Sequence, residues 1–159
     1  MLPHPIVEHL RELKLTGMLR AWQEQQQLPD TDSLTFEERF GLLVDREVTE
    51  RANRRLQNHL KRAKLRFEAA LEDVDYTAPR GLDPALLLSL ASCQWIREHH
   101  NCIITGPTGS GKSYLACALA QKACREGLTA LYLRVPRLFQ ELALARTEGR
   151  YPTPQFAGP

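Results

Sequence analysis

Apolar side chains recur at spacings of three and four along the first part of the chain, which is the period of an α-helix. This pattern predicts one helix over residues 5–28, in which Gly17 allows a bend or break. A second helix is predicted to begin after Thr35, because Thr35 and Glu38 have the spacing of a capping box. That helix is expected to run to about residue 65 on an apolar stripe formed by Phe36, Phe40, Leu43, Val44, Val48, Ala52, Leu56 and Leu60.

Short apolar runs alternate with helical patterns in the second part of the chain. Two of these runs are predicted to be buried strands, Cys102 to Thr105 and Thr129 to Leu133. Helices are predicted from Asp83 to Asn101, from about Lys112 to a C-cap at Gly127, and from Pro136 to about Glu148. Residues 67–82 are interpreted as a linker because acidic residues and Pro79-Arg80-Gly81 interrupt any periodicity.

The order of these elements predicts the domain organisation. An all-α N-terminal domain covers residues 1–70, an α/β domain covers residues 71–150, and an unstructured tail covers residues 151–159. The tail is set apart by its prolines and by its lack of periodicity. The fold class is therefore α/β, with a helical domain in front.

A glycine-rich stretch carries the clearest chemistry. Residues 106–113 read Gly-x-x-x-x-Gly-Lys-Ser, which is the P-loop pattern, between a predicted strand and a predicted helix. Glycine lets backbone N–H groups approach a phosphate, and the N-terminus of the following helix adds a positive dipole end. Lys112 is expected to reach the β- and γ-phosphates, and Ser113 is expected to bind Mg²⁺ through its hydroxyl.

A basic run lies on the last third of the second predicted helix and just beyond it. No acidic residue occurs between its first and last members, which suits phosphate contacts on a nucleic acid as well as a solvated cationic helix face. Nothing in the run predicts base-specific readout. Its members are Arg51, Arg54, Arg55, Lys61, Arg62, Lys64 and Arg66.

Composition narrows the class of protein. The chain has 159 residues, a net charge of +2 and 25% charged residues, which are values of a globular protein. It has no run of about 18 apolar residues and no visible signal peptide, so we expect a cytoplasmic protein without a membrane partner. The four cysteines lack zinc-site spacing and are expected to be buried thiols.

With these motifs in place, the chain resembles the IstB-like ATPases, the transposition helper proteins of bacterial insertion sequences, which are related to the DnaC-type helicase loaders of the AAA+ class. The resemblance covers most of residues 1–150. It rests on Leu13-Lys14-Leu15-x-Gly17-Met18, Arg54-Arg55-Leu56 with Arg62-Ala63-Lys64-Leu65, Trp95-Ile96, residues 106–116, and Leu133-Arg134-Val135-Pro136-Arg137-Leu138-Phe139.

The resemblance implies a helical N-terminal domain followed by an AAA+ P-loop core, with ATP and Mg²⁺ as cofactors. It implies double-stranded DNA and a transposase as partners, and a homo-oligomer in full-length relatives. The nucleotide ligands carried over are Gly106, Pro107, Thr108, Gly109, Ser110, Gly111, Lys112, Ser113 and Tyr114.

The family pattern also includes parts that this sequence does not contain. A third strand ending in acidic residues, the sensor residues and the arginine finger are missing, so the AAA+ core is expected to be incomplete and hydrolysis lost. In the family's sheet the two strands present are not neighbours, and both are expected to have unpaired edges.

Several functions stay open at this point. The first is an ATP-binding protein that helps transposition by binding target DNA and regulating the transposase. The alternatives are a helicase loader, which grips a helicase with its N-terminal helices, and a non-catalytic DNA-binding remnant. A small-molecule kinase also uses a P-loop, but the long basic helical region in front of the loop disfavours it.

Overall fold

The computed structural model describes residues 5–27, 33–77, 81–147 and 149. Over these residues the chain forms α-helices joined by turns, and it divides into two compact units, Met1–Lys61 and Arg62–Pro159. No helix within the described ranges is long and apolar enough to cross a membrane. The division at Lys61 differs from the predicted domain bounds at residues 70 and 150, which stay predictions. The predicted tail, residues 151–159, lies outside the described residues.

The helix predicted over residues 5–28 is two helices in the structure, so the single-helix prediction is wrong. Helix α1 spans Pro5–Glu12 and helix α2 spans Thr16–Gln27. Between them Lys14 has a φ of 57°, in the left-handed region that residues other than glycine rarely occupy. The N–H of Leu15 donates to the carbonyl of Leu10 at 2.8 Å across this turn. The break therefore precedes Gly17.

Gly17 lies inside α2 and has a packing role. A Cβ atom at this position would be 2.7 Å from the Cα of Glu47 and 2.8 Å from the carbonyl oxygen of Arg46. The Glu47 carboxylate accepts hydrogen bonds from the N–H groups of Gly17, at 2.7 Å, and Met18, at 3.1 Å. These N–H groups belong to the first turn of α2, where no carbonyl of the helix can accept them. Glycine is needed here because another helix backbone approaches closely.

Helix α3, Phe36–Ala63, has 28 residues and begins with the predicted capping box. The N–H of Thr35 donates to the Glu38 carboxylate at 2.8 Å, and the N–H of Glu38 donates to the Thr35 hydroxyl at 3.3 Å. These two hydrogen bonds confirm the predicted helix start. The predicted apolar stripe is divided: Leu43, Leu56 and Leu60 are half-buried, whereas Phe36, Phe40, Val44, Val48 and Ala52 are exposed.

The second unit contains helices α4 (Pro84–Ala91), α5 (Gln94–Arg97), α6 (Lys112–Arg125) and α7 (Val135–Thr147), with a 3₁₀ helix over Leu71–Asp73. Asp83 caps α4 as predicted, because its carboxylate accepts a hydrogen bond from the N–H of Ala85 at 2.9 Å. The prediction of one helix from there to Asn101 is wrong. The chain turns at Cys93, which has a φ of 57°, and then forms α5.

Helix α6 is the buried element of the second unit. Cys117 and Ala118 on this helix form a core cluster with Ala69, and Leu65, Leu71, Tyr114 and Tyr132 pack against the cluster. Cys93, Cys117 and Cys124 are buried as predicted, and burial raises the pKa of the Cys93 and Cys124 thiols. Cys102 is exposed, so the prediction that all four thiols are buried is wrong for this residue.

The segment interpreted as a linker is held against α6 in its first part. Ala69 is 3% exposed, and the carboxylate of Glu72 accepts a hydrogen bond from Arg125 at 2.6 Å. The N–H of Tyr132 donates to the carbonyl of Ala63 at 2.8 Å just before this segment. Apolar residues at three positions among the acids, Ala69, Leu71 and Val74, explain why this stretch packs where a linker was expected.

The two predicted strands are not formed within the described part of the chain. Residues 102–105 and 129–133 lie outside every helix but are assigned to no strand. A strand needs a ladder of hydrogen bonds to a neighbouring strand, and the backbone of residues 102–105 makes no such bonds to other described residues. The α/β fold class therefore stays a prediction.

The end of helix α6 and the start of helix α7 agree with the sequence predictions, while the predicted end of α7 at about Glu148 lies outside the described residues. Gly127 follows α6 with a φ of 79°, and its N–H donates to the carbonyl of Cys124 at 3.1 Å. The N–H of Leu128 donates to the carbonyl of Ala123 at 2.9 Å. These two bonds form a Schellman motif, which confirms the predicted C-cap. Helix α7 begins next to Pro136, as the sequence predicts.

Candidate functional site

The glycine-rich loop, Gly106–Gly111, turns directly into helix α6. Gly109 has a φ of 82° and Gly111 has a φ of 89°, so both lie in the region that favours glycine. Lys112 is the first residue of α6, as predicted, and no side chain caps the helix at Gly111. The first N–H groups of α6 therefore have no side-chain acceptor at the cap and point toward the loop. A helix N-terminus in this form attracts anions.

Space around Gly106 is limited by the loop itself. A Cβ atom on Gly106 would lie 3.2 Å from the Ser110 hydroxyl oxygen and 3.9 Å from the Cδ of Lys112. Gly106 also has a φ of 149°. A larger residue would therefore occupy the side of the loop on which the Ser110 and Lys112 side chains lie.

The side chain of Lys112 lies across the loop. Its Nζ donates to the carbonyl of Gly106 at 2.8 Å and to the carbonyl of Pro107 at 2.6 Å. The ammonium group is thereby held beside the N-terminus of α6, where two sources of positive potential add. This arrangement suits an anion with several oxygen atoms, such as a di- or triphosphate.

A cleft of about 380 Å³ opens beside the loop. Its lining includes loop residues and Lys112. It also includes the apolar or aromatic residues Val74, Leu82, Ile104, Tyr114 and Leu115. A cleft lined by both a cation and apolar side chains fits a ligand that carries phosphates and an aromatic base.

The nine predicted nucleotide ligands are continuous in sequence, but they do not all face the cleft. Gly106, Pro107, Ser110, Gly111, Lys112 and Tyr114 line it. Thr108, Gly109 and Ser113 are exposed and are not part of the lining. Sequence reasoning missed Val74 and Leu82. Both are apolar residues within the stretch interpreted as a linker, and that contrast with the surrounding acids was the available signal.

The acidic residues before the loop are used within the fold. Glu72 is paired with Arg125 at 2.6 Å, and Asp75 accepts hydrogen bonds from the N–H and hydroxyl of Thr77. The part of the chain described by the structure contains no group of three or more His, Cys, Asp or Glu residues that could hold a metal ion. Ser113 as a Mg²⁺ ligand stays a prediction.

The basic run is divided between the two units. In the first unit, Arg51 donates to Glu47 at 2.7 Å and Arg54 donates to the Thr16 hydroxyl at 2.7 Å. Burial raises the pKa of the Glu47 carboxyl, but the hydrogen bonds from Arg51, Met18 and Gly17 outweigh it, so this pKa lies below its ordinary value. Arg51 and Arg54 thus help to hold α2 against α3.

The other members of the run are more available to a ligand. Arg55 and Lys61 in the first unit and Arg62 and Lys64 in the second unit are exposed. Arg66 lies over the ring of Phe67, with its guanidinium carbon 5.1 Å from the ring centre. The basic run therefore contains two residues that stabilise the first unit, Arg51 and Arg54, and others whose charge is available to a ligand.

Comparison with known proteins gives a consistent result. The family model of the IstB-like ATP-binding proteins matches residues 8–156. A Pseudomonas fluorescens protein named as an ATP-binding protein of insertion sequence IS1162 is 48% identical over 152 residues, which is 95% of this chain and 66% of the relative. A Sinorhizobium fredii protein named as an insertion-sequence ATP-binding protein is 50% identical over 151 residues, 95% of this chain and 62% of the relative.

A more distant relative has a similar name. A Mycobacterium tuberculosis protein named as an ATP-binding protein in an insertion sequence is 33% identical over 134 residues, which is 84% of this chain and 53% of the relative. The chain thus spans slightly less than two thirds of the length of the first two relatives.

Proposed function

The chain belongs to the IstB-like ATP-binding protein family, and from this premise we propose that it binds ATP with Mg²⁺ at the glycine-rich loop and assists the transposition of an insertion sequence. It does so by binding double-stranded DNA and by regulating the transposase. The observation that carries the nucleotide site is the start of α6 at Lys112 directly after a loop with positive φ at Gly109 and Gly111.

Each part of the loop has a role in the proposed site. The backbone N–H groups at the start of α6 and in the loop bind phosphate oxygens, and Lys112 neutralises their charge. Gly106 keeps the concave side open, because a Cβ there would meet Ser110. Ser113 binds the Mg²⁺ ion through its hydroxyl. ATP supplies the triphosphate, and the apolar residues Val74 and Leu82 contact its base.

Replacement of Lys112 tests the nucleotide site. Lys112→Ala removes one charged donor to phosphate, so we expect the ATP affinity to fall by about ten- to a hundredfold. Lys122→Ala is the matched control, because Lys122 lies on the same helix but pairs with Glu126 at 2.6 Å. Titration calorimetry with ATP measures both. Equal ATP affinities for Lys112→Ala and the unaltered chain would contradict the proposal that ATP binds at the glycine-rich loop.

DNA binding is proposed to rest mainly on four exposed members of the basic run, Arg55, Lys61, Arg62 and Lys64. Arg51 and Arg54 are exposed as well, but their side chains are hydrogen-bonded to Glu47 and Thr16. Clustered Lys and Arg side chains bind phosphates and release counterions. The relatives' names associate them with insertion sequences, which favours a transposition helper over the helicase loader and the binding remnant.

The DNA proposal is tested by salt dependence. Replacing Arg55, Lys61, Arg62 and Lys64 with Ala should weaken duplex binding and reduce the slope of log affinity against log salt by about 0.9 for each DNA phosphate that the variant no longer neutralises. Arg20→Ala with Arg137→Ala is the control, because both residues are exposed but paired with Glu50 and Glu141. An unchanged slope in the fourfold variant would contradict the proposal.

A further inference from the structure

Tyr114 belongs both to the cleft and to the core of the second unit. It is the third residue of helix α6 and lines the cleft beside the glycine-rich loop. Its side chain also packs against the buried cluster formed by Ala69, Cys117 and Ala118. Because Tyr114 is half-buried, the core covers part of this side chain and leaves part of it to a ligand in the cleft.

Phe67 packs against the same ring from outside the cleft. The centres of the Phe67 and Tyr114 rings lie 6.4 Å apart, with an angle of 48° between the ring planes. This geometry is within the range of favourable aromatic pairs. Phe67 is 38% exposed and is not among the residues that line the cleft. It can therefore influence a ligand in the cleft only through a neighbour such as Tyr114.

The 65–74 segment, which contains this phenylalanine, is fixed on α6. Ala69 is 3% exposed within the core cluster, and Leu71 packs against that cluster. The N–H of Val74 donates to the carbonyl of Leu71 at 3.3 Å, and Val74 lines the cleft. One short segment thus supplies both the ring beside Tyr114 and an apolar residue of the cleft.

These contacts matter only for a ligand that has an aromatic part as well as phosphates. Inorganic tripolyphosphate needs the loop N–H groups and Lys112, but it gains nothing from an aromatic ring. A nucleobase stacks on aromatic side chains, and such stacking needs a ring that is held in a suitable orientation. A ring that is fixed before the ligand arrives also loses less conformational entropy on binding.

We propose that Phe67 is a positioning residue of the nucleotide site, because it holds the Tyr114 ring in the orientation that contacts the base. It thereby gives the site a preference for a nucleoside triphosphate over inorganic tripolyphosphate. This role rests on the nucleotide site proposed above, and it belongs to a residue outside both the loop and the cleft lining.

Titration calorimetry of the full chain with ATP and with inorganic tripolyphosphate, both with Mg²⁺, tests this role. Phe67→Ala should lower the ATP affinity by about three- to tenfold. The tripolyphosphate affinity should not change, because the loop is intact. Phe67→Tyr keeps an aromatic ring and should bind ATP like the unaltered chain. Phe139→Ala is the matched control and should change neither affinity, since Phe139 is 64% exposed in the same unit and does not line the cleft.

A double-mutant cycle tests whether Phe67 acts through Tyr114. Tyr114→Leu should lower the ATP affinity, and adding Phe67→Ala to it should cause no further loss. Equal losses for ATP and tripolyphosphate in Phe67→Ala, or losses that add in the double variant, would overturn the positioning role.

The unaltered chain separates this proposal from the nucleotide site on which it rests. Tripolyphosphate binding as tight as ATP binding would overturn the preference for a nucleoside triphosphate without affecting the proposed phosphate site. An unaltered chain that binds neither ligand would overturn the nucleotide site, and the role of Phe67 with it.

Discussion

At the scale of single residues, Gly17 shows that a glycine inside a helix can be required by packing against another helix. The sequence indicates only that Gly17 weakens a helix and allows a bend or break there. The structure instead has Glu47 and Arg46 against it, at distances that leave no room for a Cβ atom. This cause could not be predicted, because the residues that approach Gly17 are about thirty positions away in the sequence.

Gly17→Ala should destabilise the chain by about 2 kcal/mol, because backbone atoms of α3 must move to admit the methyl group. Gly41→Ala is the matched control, since a Cβ there meets nothing within 4 Å. Its expected effect on the free energy of unfolding is a gain of about 0.5–1 kcal/mol from helix propensity. Urea unfolding measures both variants. Equal free energies of unfolding for the two variants would show that the close contact at Gly17 is not needed.

Glu47 links stability to pH. Its pKa is lowered in the folded chain, so the unfolded chain binds more protons and the contribution of Glu47 to stability rises with pH. That contribution is complete above the ordinary carboxyl value of 4.5 and is lost as the pH falls through the lower folded pKa. We expect Glu47→Gln to be less stable than the unaltered chain near neutral pH and to approach it in acid.

The measurement is the free energy of unfolding of both proteins at about pH 7 and about pH 3. Glu38→Gln provides a comparison, because the pKa of Glu38 is also lowered but its carboxylate is exposed and accepts its hydrogen bonds from the neighbouring Thr35. A difference between Glu47→Gln and the unaltered chain that does not depend on pH would contradict this role.

At the scale of elements, helix starts and stops were predictable where a side chain or a glycine defines them. Thr35 with Glu38, Asp83 and Gly127 all act as the sequence predicts. The breaks at Lys14 and Cys93 were not predictable, because each is a non-glycine residue with positive φ and neither residue type favours that conformation. The strands at residues 102–105 and 129–133 depend on neighbours elsewhere in a sheet, so local pattern alone does not establish them.

Replacement of Gly127 tests the end of α6. Gly127→Ala should destabilise the chain by about 1 kcal/mol, because alanine is strained at a φ of 79°. Gly127→Asn should cost less, since asparagine tolerates this conformation. Thermal unfolding followed by circular dichroism ranks the three proteins. If Gly127→Ala unfolds at the same temperature as the unaltered chain, the positive φ at residue 127 is not needed for stability, which contradicts the prediction.

At the scale of the whole molecule, the candidate site was predictable to the extent that it is continuous in sequence. The loop, the start of α6 at Lys112 and the apolar face of α6 follow from one stretch of sequence. The cleft beside the loop needs Val74 and Leu82, which come from a segment that looks like a linker until it packs. Likewise, the basic run is evident in the sequence, but only the structure shows that Arg51 and Arg54 also make hydrogen bonds within the first unit.

The most direct test of the central claim is residue-resolved ATP binding by the full chain. In two-dimensional ¹H–¹⁵N NMR, titration with Mg²⁺ and ATP should shift the amide signals of Gly106, Gly109, Gly111, Lys112 and Ser113. Shifts confined to the loop and the start of α6 agree with a phosphate site at this helix N-terminus. Saturable ATP binding that leaves these amide signals unmoved would contradict it.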